Sequence, residues 1–435
     1  MKKNIQSPRG TRDILPEEQK YWRYLTKNIQ KNMDIFGCQR IETPIYEYAE
    51  TYTRAIGKGT DIIDKEMFEV RRFSSITDTI AEEDAKTMVL RPEYTAGIVR
   101  AYVQNGMMNL PQPVKLWYSG PAFRYERPQA GRYRIHNQFG VEIIGDSDPI
   151  VDASIILLAF QTLSDIGLRD ALKLEINSIG CPNCRAKMKK KIVEYFQGFL
   201  EDLCNDCNRR FVENPLRIFD CKESKCQKII DSAPQLIDTL CDACKSHFKE
   251  VLENLDGLGI PYNLNPRLVR GLDYYSRTVF EIYYEKNQNE NLAILAGGRY
   301  DGLIELFGGT PTPAVGWAGG MERIINILKS QEIEIPAEAM ADVCLIHVGD
   351  KAKKLSLMLS AKLTNAGFKA TNILGKESLK AQLRAANKMG AKTCLILGQR
   401  ESIDKTVIFK DMDSGTQETV AQEKLVEFLQ KRLAK

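Results

Sequence analysis

The chain has 435 residues, of which 43% are hydrophobic and 27% are charged, a balance that is typical of globular proteins and excludes a disordered, collagen-like or membrane-embedded chain. Its length predicts roughly three domains of about 150 residues each. The longest apolar runs are far shorter than the roughly 18 residues that cross a bilayer, and no apolar stretch follows the N-terminal lysines, so we expect no membrane helix, no secretory signal and a cytosolic protein.

The net charge of +4 is too small to predict a nucleic-acid partner by itself, but the charge is unevenly distributed. Residues 337–435 contain 17 Lys and Arg against 11 Asp and Glu, a balance of +6. We therefore expect the positive potential at the C-terminal end of the chain.

The part before residue 329 predicts an antiparallel sheet with helices, and its clearest strand lies at 137–143. Period-2 alternation places Gln138, Gly140 and Glu142 on one face of this strand and apolar residues on the other. The segment 123–127 alternates in the same way, and the turn-forming cluster 128–131 separates the two segments. The pattern predicts a hairpin whose polar face can bind a ligand.

Eight of the eleven cysteines fall in a segment at 181–248 that interrupts the sheet. They form four pairs: Cys181 with Cys184, Cys204 with Cys207, Cys221 with Cys226, and Cys241 with Cys244. The spacing of the first two pairs is typical of two clips that share one tetrahedral ion. Eight thiolates predict two structural zinc sites with no open position for chemistry, although free thiols, disulfides or an iron–sulfur cluster are alternatives. His247, three residues after Cys244, is an alternative ligand that would replace a thiolate in one site, but we expect it to be a surface residue.

Arginines and glycines recur in three later segments, at 270–281, 297–302 and 314–323. Each segment alone is compatible with a salt-bridge network or a tight turn. An arginine on a strand whose other residues predict burial needs an anionic partner for its guanidinium. A bound polyphosphate would provide one through bidentate hydrogen bonds. The chain contains neither a P-loop motif nor a dinucleotide-binding glycine motif, so a nucleotide is expected to lie on a sheet and contact arginines.

The C-terminal part predicts a separate domain. A polar stretch at 329–341 suits a linker, and strands and helices alternate after residue 342, with the last helix at about 421–433. This order predicts a small, mostly parallel sheet that is covered on both faces.

One helix of this domain has a basic face. Ser378 is the predicted cap of a helix that reaches residue 389. Lys380, Arg384 and Lys388 recur every four residues on it, while Leu379, Leu383 and Ala386 should face inward. The stripe is either an ordinary solvated face or, on a domain with a balance of +6, a surface for a polyanion.

These segments together resemble a known family. Residues 123–126 with the following loop resemble motif 2 of the class II aminoacyl-tRNA synthetases, residues 316–323 resemble motif 3, and residues 37–44 resemble motif 1, which forms dimers. Two signatures are similar to those of histidyl-tRNA synthetases, at 270–275 and 298–302. Residues 8–13 and 90–96 match that family as well.

The resemblance implies an α+β fold. The implied architecture is a class II antiparallel-sheet catalytic domain split into 1–180 and 249–328, a Cys-rich insertion at 181–248, a linker at 329–341 and an α/β anticodon-binding domain at 342–435. It also implies a cytoplasmic homodimer, with no membrane partner.

The implied activity is that of a ligase which activates L-histidine with ATP and Mg²⁺ to histidyl-adenylate and transfers it to tRNA(His). By position in the family motifs, the histidine-binding residues would be Glu93, Thr95, Gln138, Glu142, Tyr275 and Tyr300. The ATP-binding residues would be Arg124, Glu126, Arg132 and Arg323. The catalytic residues would be Arg270 and Arg124, and the basic stripe Lys380, Arg384 and Lys388 would bind tRNA.

One departure from the family and two other functions bear on this interpretation. Family members commonly have Gln-Phe-His-Gln where this chain has Ile135-His136-Asn137-Gln138, and strand alternation places Asn137 away from the ligand face. The main alternative is a catalytically inactive synthetase-like regulatory subunit of histidine biosynthesis, a class of protein that typically lacks the anticodon-binding domain. A zinc-dependent RNA-binding protein would have no reason to keep Glu142, Tyr275 and Tyr300.

Overall fold

The computed structural model describes residues 5–57, 60–71, 86–127, 131–285, 293–336, 341–375 and 378–433. Its contacts divide the chain into two compact units, Met1–Ile335 and Pro336–Lys435. Most of the predicted turn, residues 128–130, and the linker residues 337–340 lie outside the described residues. A search of the described residues finds no helix with the length and apolar character needed to span a membrane.

The first unit mixes strands and helices along its length. Its strands are β1 (Gln39–Arg40), β2 (Tyr46–Tyr48), β3 (Glu69–Val70), β4 (Met88–Leu90), β5 (Val114–Phe123), β6 (Ile135–Ile144), β7 (Leu172–Ser178), β8 (Tyr262–Leu264), β9 (Ser276–Tyr284), β10 (Leu295–Arg299) and β11 (Ala314–Gly320). Its α-helices are α1 (Gln19–Ile35), α2 (Ala49–Ile56), α3 (Thr95–Gln104), α4 (Pro149–Asp165), α5 (Pro182–Gln197), α6 (Asn205–Glu213), α7 (Ser224–Ile230), α8 (Asp242–Gly257), α9 (Leu303–Leu306) and α10 (Met321–Ser330). A π-helical turn spans Ile62–Glu66, and short 3₁₀ turns span Pro16–Glu18, Met107–Asn109, Arg169–Ala171, Pro215–Asp220 and Leu236–Thr239.

Most of these strands form one sheet. In the described part of the unit it has eight strands in the order β1-β5-β6-β11-β10-β9-β7-β8. The six inner strands pair antiparallel with one another, and only the edge strands β1 and β8 pair parallel with their neighbours. The predicted antiparallel sheet is therefore confirmed. A smaller sheet has the order β2-β4-β3.

The predicted hairpin is formed by β5 and β6. The two strands pair antiparallel along their whole length, from Val114 opposite Ile144 to Phe123 opposite Ile135. Apolar residues on one face of β6 are buried in a core with helices α1, α4, α8 and α10, as the alternation predicted. The first strand ends at Phe123, so the predicted strand at 123–127 is wrong: Arg124 and Glu126 follow the end of β5, where the amide of Arg124 still donates to the carbonyl oxygen of Arg134 at 2.9 Å.

Arg299 at the end of β10 is held by the protein itself. The side chains of Arg299 and Asp152 are both fully buried, and Nε of the arginine donates to Oδ2 of the aspartate at 3.0 Å. Nη1 of Arg299 also donates to the carbonyl oxygen of Asp146 at 2.9 Å. The expectation that a polyphosphate satisfies the strand arginines is therefore wrong for this one.

His247 belongs to the same buried cluster. It is 5% exposed, and its Nε2 lies 3.8 Å from Oδ2 of Asp152. The expected surface position of His247 is wrong, because α8 packs on α4 and turns this residue inward.

The second unit is built on a sheet of five strands in its described part. They are β12 (Val343–His347), β13 (Ala370–Asn372), β14 (Thr393–Leu397), β15 (Thr406–Asp411) and β16 (Gln417–Ala421), and the helices are α11 (Asp350–Asn365), α12 (Leu379–Lys388), α13 (Gln399–Asp404) and α14 (Leu425–Arg432). The sheet order is β13-β12-β14-β15-β16. The strands β13, β12 and β14 are parallel, whereas β15 and β16 add antiparallel.

The parallel centre of this sheet and the cover on both faces agree with the sequence pattern, since alternate residues of β12 enter two separate cores. The pattern missed β15 and β16. The last helix begins at Leu425 and not near 421, because residues 417–421 form the strand β16.

Helix α12 has the predicted cap and basic face. Oγ of Ser378 accepts a hydrogen bond from the amide of Ala381 at 3.3 Å. The stripe residues Lys380, Arg384 and Lys388 are exposed. The inward position predicted for Leu379 is wrong: it is 39% exposed in the first turn, where it lines a groove beside Leu383.

The buried pair of Arg299 and Asp152 leads to a first prediction. Asp152→Ala should lower the free energy of unfolding by about 3–5 kcal/mol, because a fully buried guanidinium loses its buried carboxylate and keeps contact with Asp301, which is 27% exposed. Denaturant unfolding followed by tryptophan fluorescence measures this. Glu253→Ala, which removes an exposed ion pair with Lys249, is the control and should change stability by no more than about 0.5 kcal/mol. Equal losses in both variants would contradict the prediction.

Candidate active site

A cavity of about 240 Å³ lies on the polar face of the large sheet. Nine of the eleven residues predicted for the histidine, ATP and catalytic positions line it: Glu93, Thr95, Arg124, Glu126, Arg132, Gln138, Arg270, Tyr275 and Arg323. They come from positions far apart in the sequence, before and after the insertion. The fold therefore brings the predicted groups to one place.

The other two predicted residues, Glu142 and Tyr300, lie behind the cavity wall. Glu142 is 1% exposed, and its two carboxylate oxygens accept hydrogen bonds from the Thr95 hydroxyl at 2.8 Å and the Tyr300 hydroxyl at 2.5 Å. Burial raises the pKa of Glu142 to about 8, although both hydrogen bonds oppose the rise. Thr95 thus connects the buried carboxyl to the cavity.

Glycines leave room for these side chains on the sheet surface. Gly316 on β11 pairs with Glu142 on β6, and a Cβ at Gly316 would overlap Oε2 of Glu142. A Cβ at Gly140 would overlap the hydroxyl of Tyr118 in the same way. Glycine is therefore required at these two positions, because the side chains of Glu142 and Tyr118 lie directly against the backbone of the neighbouring strand.

Glu93 is fixed at the start of α3. Its carboxylate accepts hydrogen bonds from the backbone amides of Thr95 at 2.6 Å and Ala96 at 2.9 Å. Burial raises its pKa, and these two amides oppose the rise. The arrangement caps the helix and holds one carboxylate at the cavity wall.

Three further arginines, Arg124, Arg132 and Arg323, line the cavity. Nε of Arg124 donates to the carbonyl oxygen of Pro92 at 3.0 Å, and Nη1 of Arg323 donates to that of Ala293 at 2.5 Å. Nη1 of Arg132 lies 3.5 Å from Oε2 of Glu126. Burial, followed by the charge of Arg132, lowers the pKa of Arg323. The cavity lining holds four arginines and four glutamates in all, and the guanidinium groups gathered beside Glu126 are suited to contact an anionic ligand.

Arg270 is paired with Glu281, a cavity residue that is not among the predicted site residues. Nη1 of Arg270 contacts Oε1 of Glu281, and the Tyr283 hydroxyl donates to Oε2 of the same carboxylate. Burial by itself would lower the pKa of Arg270, but the charges of Glu281, Tyr275, Tyr274 and Asp220 together raise it above its usual value. Glu281 ends the segment 270–281, so its nearness in sequence to Arg270 was the available signal.

Several polar atoms of the wall are available to a ligand. Within the described residues, Tyr118 Oη, Gln138 Oε1 and Arg270 Nε are buried and have no hydrogen-bond partner. A buried polar atom without a partner costs about 1–3 kcal/mol. A ligand with both donors and acceptors would recover this cost. Tyr118 and Tyr274 also line the cavity and were not predicted.

The departure from the family motif falls on both faces of β6. Asn137 points away from the cavity, as the alternation predicted, and its Nδ2 donates to Oε1 of Glu322 at 2.8 Å. His136 lines the cavity. Burial lowers the pKa of His136 to about 3, and Arg124 and Arg323 add to the effect, so this imidazole is neutral at physiological pH.

The cysteines of the insertion form two clusters, but not in the expected combination. Cys181, Cys184, Cys241 and Cys244 form the first, and Cys204, Cys207, Cys221 and Cys226 form the second. In each, the four sulfurs lie within 4.8 Å of one another. The expected sharing of one ion by the first two pairs is therefore wrong. The chain enters and leaves the insertion at the first cluster, so tertiary structure and not sequence spacing decides the partners.

Both clusters suit a thiophilic ion. All eight thiols are free, and Cys181, Cys204 and Cys241 directly precede the helices α5, α6 and α8. The backbone amide of Cys244 and neighbouring thiols lower the pKa of Cys241 to about 7. Four sulfur ligands at this spacing match the preference of zinc for tetrahedral thiolate sites.

Comparison with known proteins extends over both units. The model of the family described as Histidyl-tRNA synthetase matches residues 10–182 and 219–324, and that described as Anticodon binding domain matches 342–432. Proteins named histidine–tRNA ligase from Acetivibrio thermocellus and Desulforamulus reducens are 42% and 43% identical, over 97% and 98% of this chain and 98% and 99% of their own lengths. The crystal structure of apo S. aureus histidyl-tRNA synthetase has a TM-score of 0.81 and 34% identity, covering 98% of this chain and 99% of that chain.

The raised pKa of Glu142 leads to a second prediction. Between about pH 4.3 and pH 8 the folded protein holds a proton on Glu142 that the unfolded chain has lost, so this group's contribution to the free energy of unfolding falls as the pH rises. Glu142→Gln should remove this decline. The free energy of the wild type minus that of the variant should fall by up to about 1.4 kcal/mol per pH unit between about pH 5.5 and 7.5. Parallel pH profiles in denaturant unfolding would contradict it.

Proposed function

The chain belongs to the histidyl-tRNA synthetase family, and we propose that it is a ligase which joins L-histidine to tRNA(His) at the expense of ATP. The main support from the structure is the single cavity that collects nine of the predicted site residues. One part of the site has the buried carboxyl of Glu142 and another has a group of arginines. The first suits an amino acid and the second suits the phosphates of a nucleotide.

The histidine position is proposed at the buried end of the cavity. An imidazole has one donor and one acceptor nitrogen when neutral, and carboxyl and hydroxyl groups can address both. Glu142, Tyr275 and Tyr300 would surround the ring. Glu93, Thr95 and Gln138 would bind the ammonium end, which fits the carboxylate of Glu93 at the wall and the buried oxygen of Gln138 that has no partner among the described residues.

The ATP position is proposed beside the arginines of the hairpin. Arg132 and Arg323 would contact the outer phosphates, Arg124 the α-phosphate and Glu126 the adenine. Because Mg²⁺ prefers carboxylate oxygens, Glu281 is the cavity carboxylate proposed to hold the ion that accompanies ATP.

The proposed reaction has two steps. The histidine carboxylate attacks the α-phosphate in line, forming histidyl-adenylate and releasing pyrophosphate. The terminal ribose hydroxyl of tRNA then attacks the activated carbonyl and releases AMP. Positioning and charge stabilisation dominate such phosphoryl chemistry. Arg270, which contacts Glu281 and keeps a buried Nε free of partners in the described structure, would stabilise the charge that develops at the α-phosphate.

The second unit would bind the tRNA. The anticodon-binding family model covers it, and the exposed stripe Lys380, Arg384 and Lys388 offers cations at regular spacing for phosphates. This unit also favours the ligase over the regulatory-subunit alternative, because that class typically lacks it. The 42% identity to a protein named histidine–tRNA ligase favours the ligase as well.

A cytoplasmic homodimer is part of the proposal. Motif 1 contains β1, which lies at an edge of the large sheet. Directly after it, Ile45, Tyr46 and Tyr48 are about half exposed, at 46%, 56% and 52%. Large apolar side chains grouped on a surface favour a protein interface.

Each cysteine cluster is proposed to hold one structural zinc ion. Zinc would supply cross-links within the insertion, and with four protein ligands no coordination position is left for substrate. The donor set of eight free thiols supports this assignment.

The first test of the proposal is catalytic. The wild type should catalyse histidine-dependent ATP–pyrophosphate exchange and charge tRNA(His) with histidine. Arg270→Ala should reduce the exchange rate by more than about 100-fold, the usual scale for losing one oriented charged donor. Arg267→Ala, which removes an exposed partner of Asp231, is the control and should retain activity. A loss below about fivefold in Arg270→Ala would exclude the proposed role.

The second test is metal content. Mass spectrometry of the purified protein should find about two zinc ions per chain, one for each four-sulfur site. Cys226→Ser should lower the content by about one, because Cys226 belongs to the second cluster. Cys344→Ser, a change at a buried cysteine outside both clusters, should leave it unchanged. Iron in place of zinc, or no metal, would refute the assignment.

A further inference from the structure

The segment 270–275, which contains Arg270 and Tyr275, has no regular secondary structure. Its backbone groups therefore depend on contacts with other parts of the chain to stay in place. Several of these contacts come from the Cys-rich insertion. They are separate from the contacts that face the cavity.

The first contact comes from Arg185, the residue after Cys184. Nη1 of Arg185 donates to the backbone carbonyl oxygens of Asp273 at 3.0 Å and Tyr275 at 3.2 Å. Arg185 lies in the first turn of α5, next to the first cysteine cluster. One guanidinium thus ties two points of the segment to the start of the insertion.

The second contact comes from the chain between Cys207 and Cys221 of the second cluster. Nδ2 of Asn214 donates to Oδ1 of Asp273 at 2.6 Å. Arg217, three residues later, lies on the same side of the segment, with Nη2 at 3.7 Å from where a Cβ of Gly271 would be.

Asp273 is also held from the opposite side. Its amide donates to the carbonyl oxygen of Ile56 at 3.2 Å, and a Cβ at Gly57 would lie only 2.5 Å from Oδ2 of Asp273. The segment is therefore enclosed between α2 and the insertion. A cavity of only about 20 Å³ is left on the insertion side, lined by Arg185, Asn214 and Arg270 among others.

We propose that the insertion positions the catalytic segment: Arg185 and Asn214 are positioning residues that hold Arg270 and Tyr275 in place, and each depends on one cysteine cluster. The proposal rests on the proposed function for the roles of Arg270 and Tyr275. A displacement of about 1 Å at a reacting group can reduce a rate about 100-fold, so restraint of this segment affects catalysis without any contact to substrate.

The cysteine clusters matter for this proposal because they hold the two parts of the insertion that carry Arg185 and Asn214. Cys181 and Cys184 begin α5, and the amide of Cys241 donates to Sγ of Cys184 at 3.1 Å. A metal bound by these thiols would hold the first turn of α5, and with it Arg185, relative to α8. Removal of the metal should loosen the segment 270–275 even where the rest of the unit stays folded.

The insertion has a separate anchor that should survive these changes. Arg209 on α6 contacts Asp61 at 3.2 Å and Asp64 at 3.6 Å. Loss of Arg185 therefore should not detach the insertion from the unit. This separates a local effect on the segment from general unfolding.

Kinetics of full-length variants provide the first test. Arg185→Met should lower kcat for pyrophosphate exchange by about 10- to 100-fold and raise KM for histidine, with KM for ATP within about twofold, because the outer phosphates bind elsewhere. Arg185→Lys, which keeps a cationic donor, should restore most of the rate. Lys187→Met, an exposed change on the same helix, is the control. Asn214→Ala should act in the same direction as Arg185→Met.

Hydrogen–deuterium exchange provides a test that does not depend on activity. Peptides covering 268–280 should exchange faster in Arg185→Met, in Asn214→Ala and in chelator-treated wild type, and at the wild-type rate in Lys187→Met. Unchanged exchange of these peptides in all three altered samples would overturn the proposal. Failure of the wild type to activate histidine would instead overturn the proposed function, since the exchange experiment is independent of it.

Discussion

The arrangement of the site depends on concentrating charged side chains on the polar face of the large sheet. Arg124, Arg132, Arg270 and Arg323 reach one cavity, and desolvation of a guanidinium is tolerated only where carboxylates, carbonyl oxygens or a ligand compensate it. Glu281 compensates Arg270, whereas the other three arginines share mainly backbone oxygens and Glu126. These three guanidinium groups are therefore available to contact a polyanionic ligand, as the proposed ATP position requires.

Local rules predicted the parts of the fold that depend on neighbouring residues. The alternation around Gly140 identified both faces of β6, and Ser378 identified the start of α12. Contacts between distant segments were not predictable in this way. The partner of Arg299 is Asp152, which lies far away in sequence, and the same burial draws His247 inward. The grouping of the cysteines into two clusters likewise follows from where the insertion begins and ends.

Sequence motifs predicted most of the residues that line the cavity, but not the residues that hold those side chains in place. The family resemblance supplied the residues that line the wall, because motifs record groups that face a ligand. Glu281 and Arg185 act on those groups from behind or beside them, and neither belongs to a motif. The Cys-rich insertion therefore contacts the segment 270–275 directly, through Arg185 and Asn214.

Binding of the two small substrates is the most direct test of the charged cavity. Isothermal titration calorimetry should be performed with L-histidine added to the wild type, alone and with a non-hydrolysable ATP analogue, and with L-lysine as the control. We expect saturable binding of histidine in both cases and none of lysine, because the buried groups around Glu142 would be left without partners. Folded protein that binds neither histidine nor the nucleotide, alone or together, would contradict this description of the site.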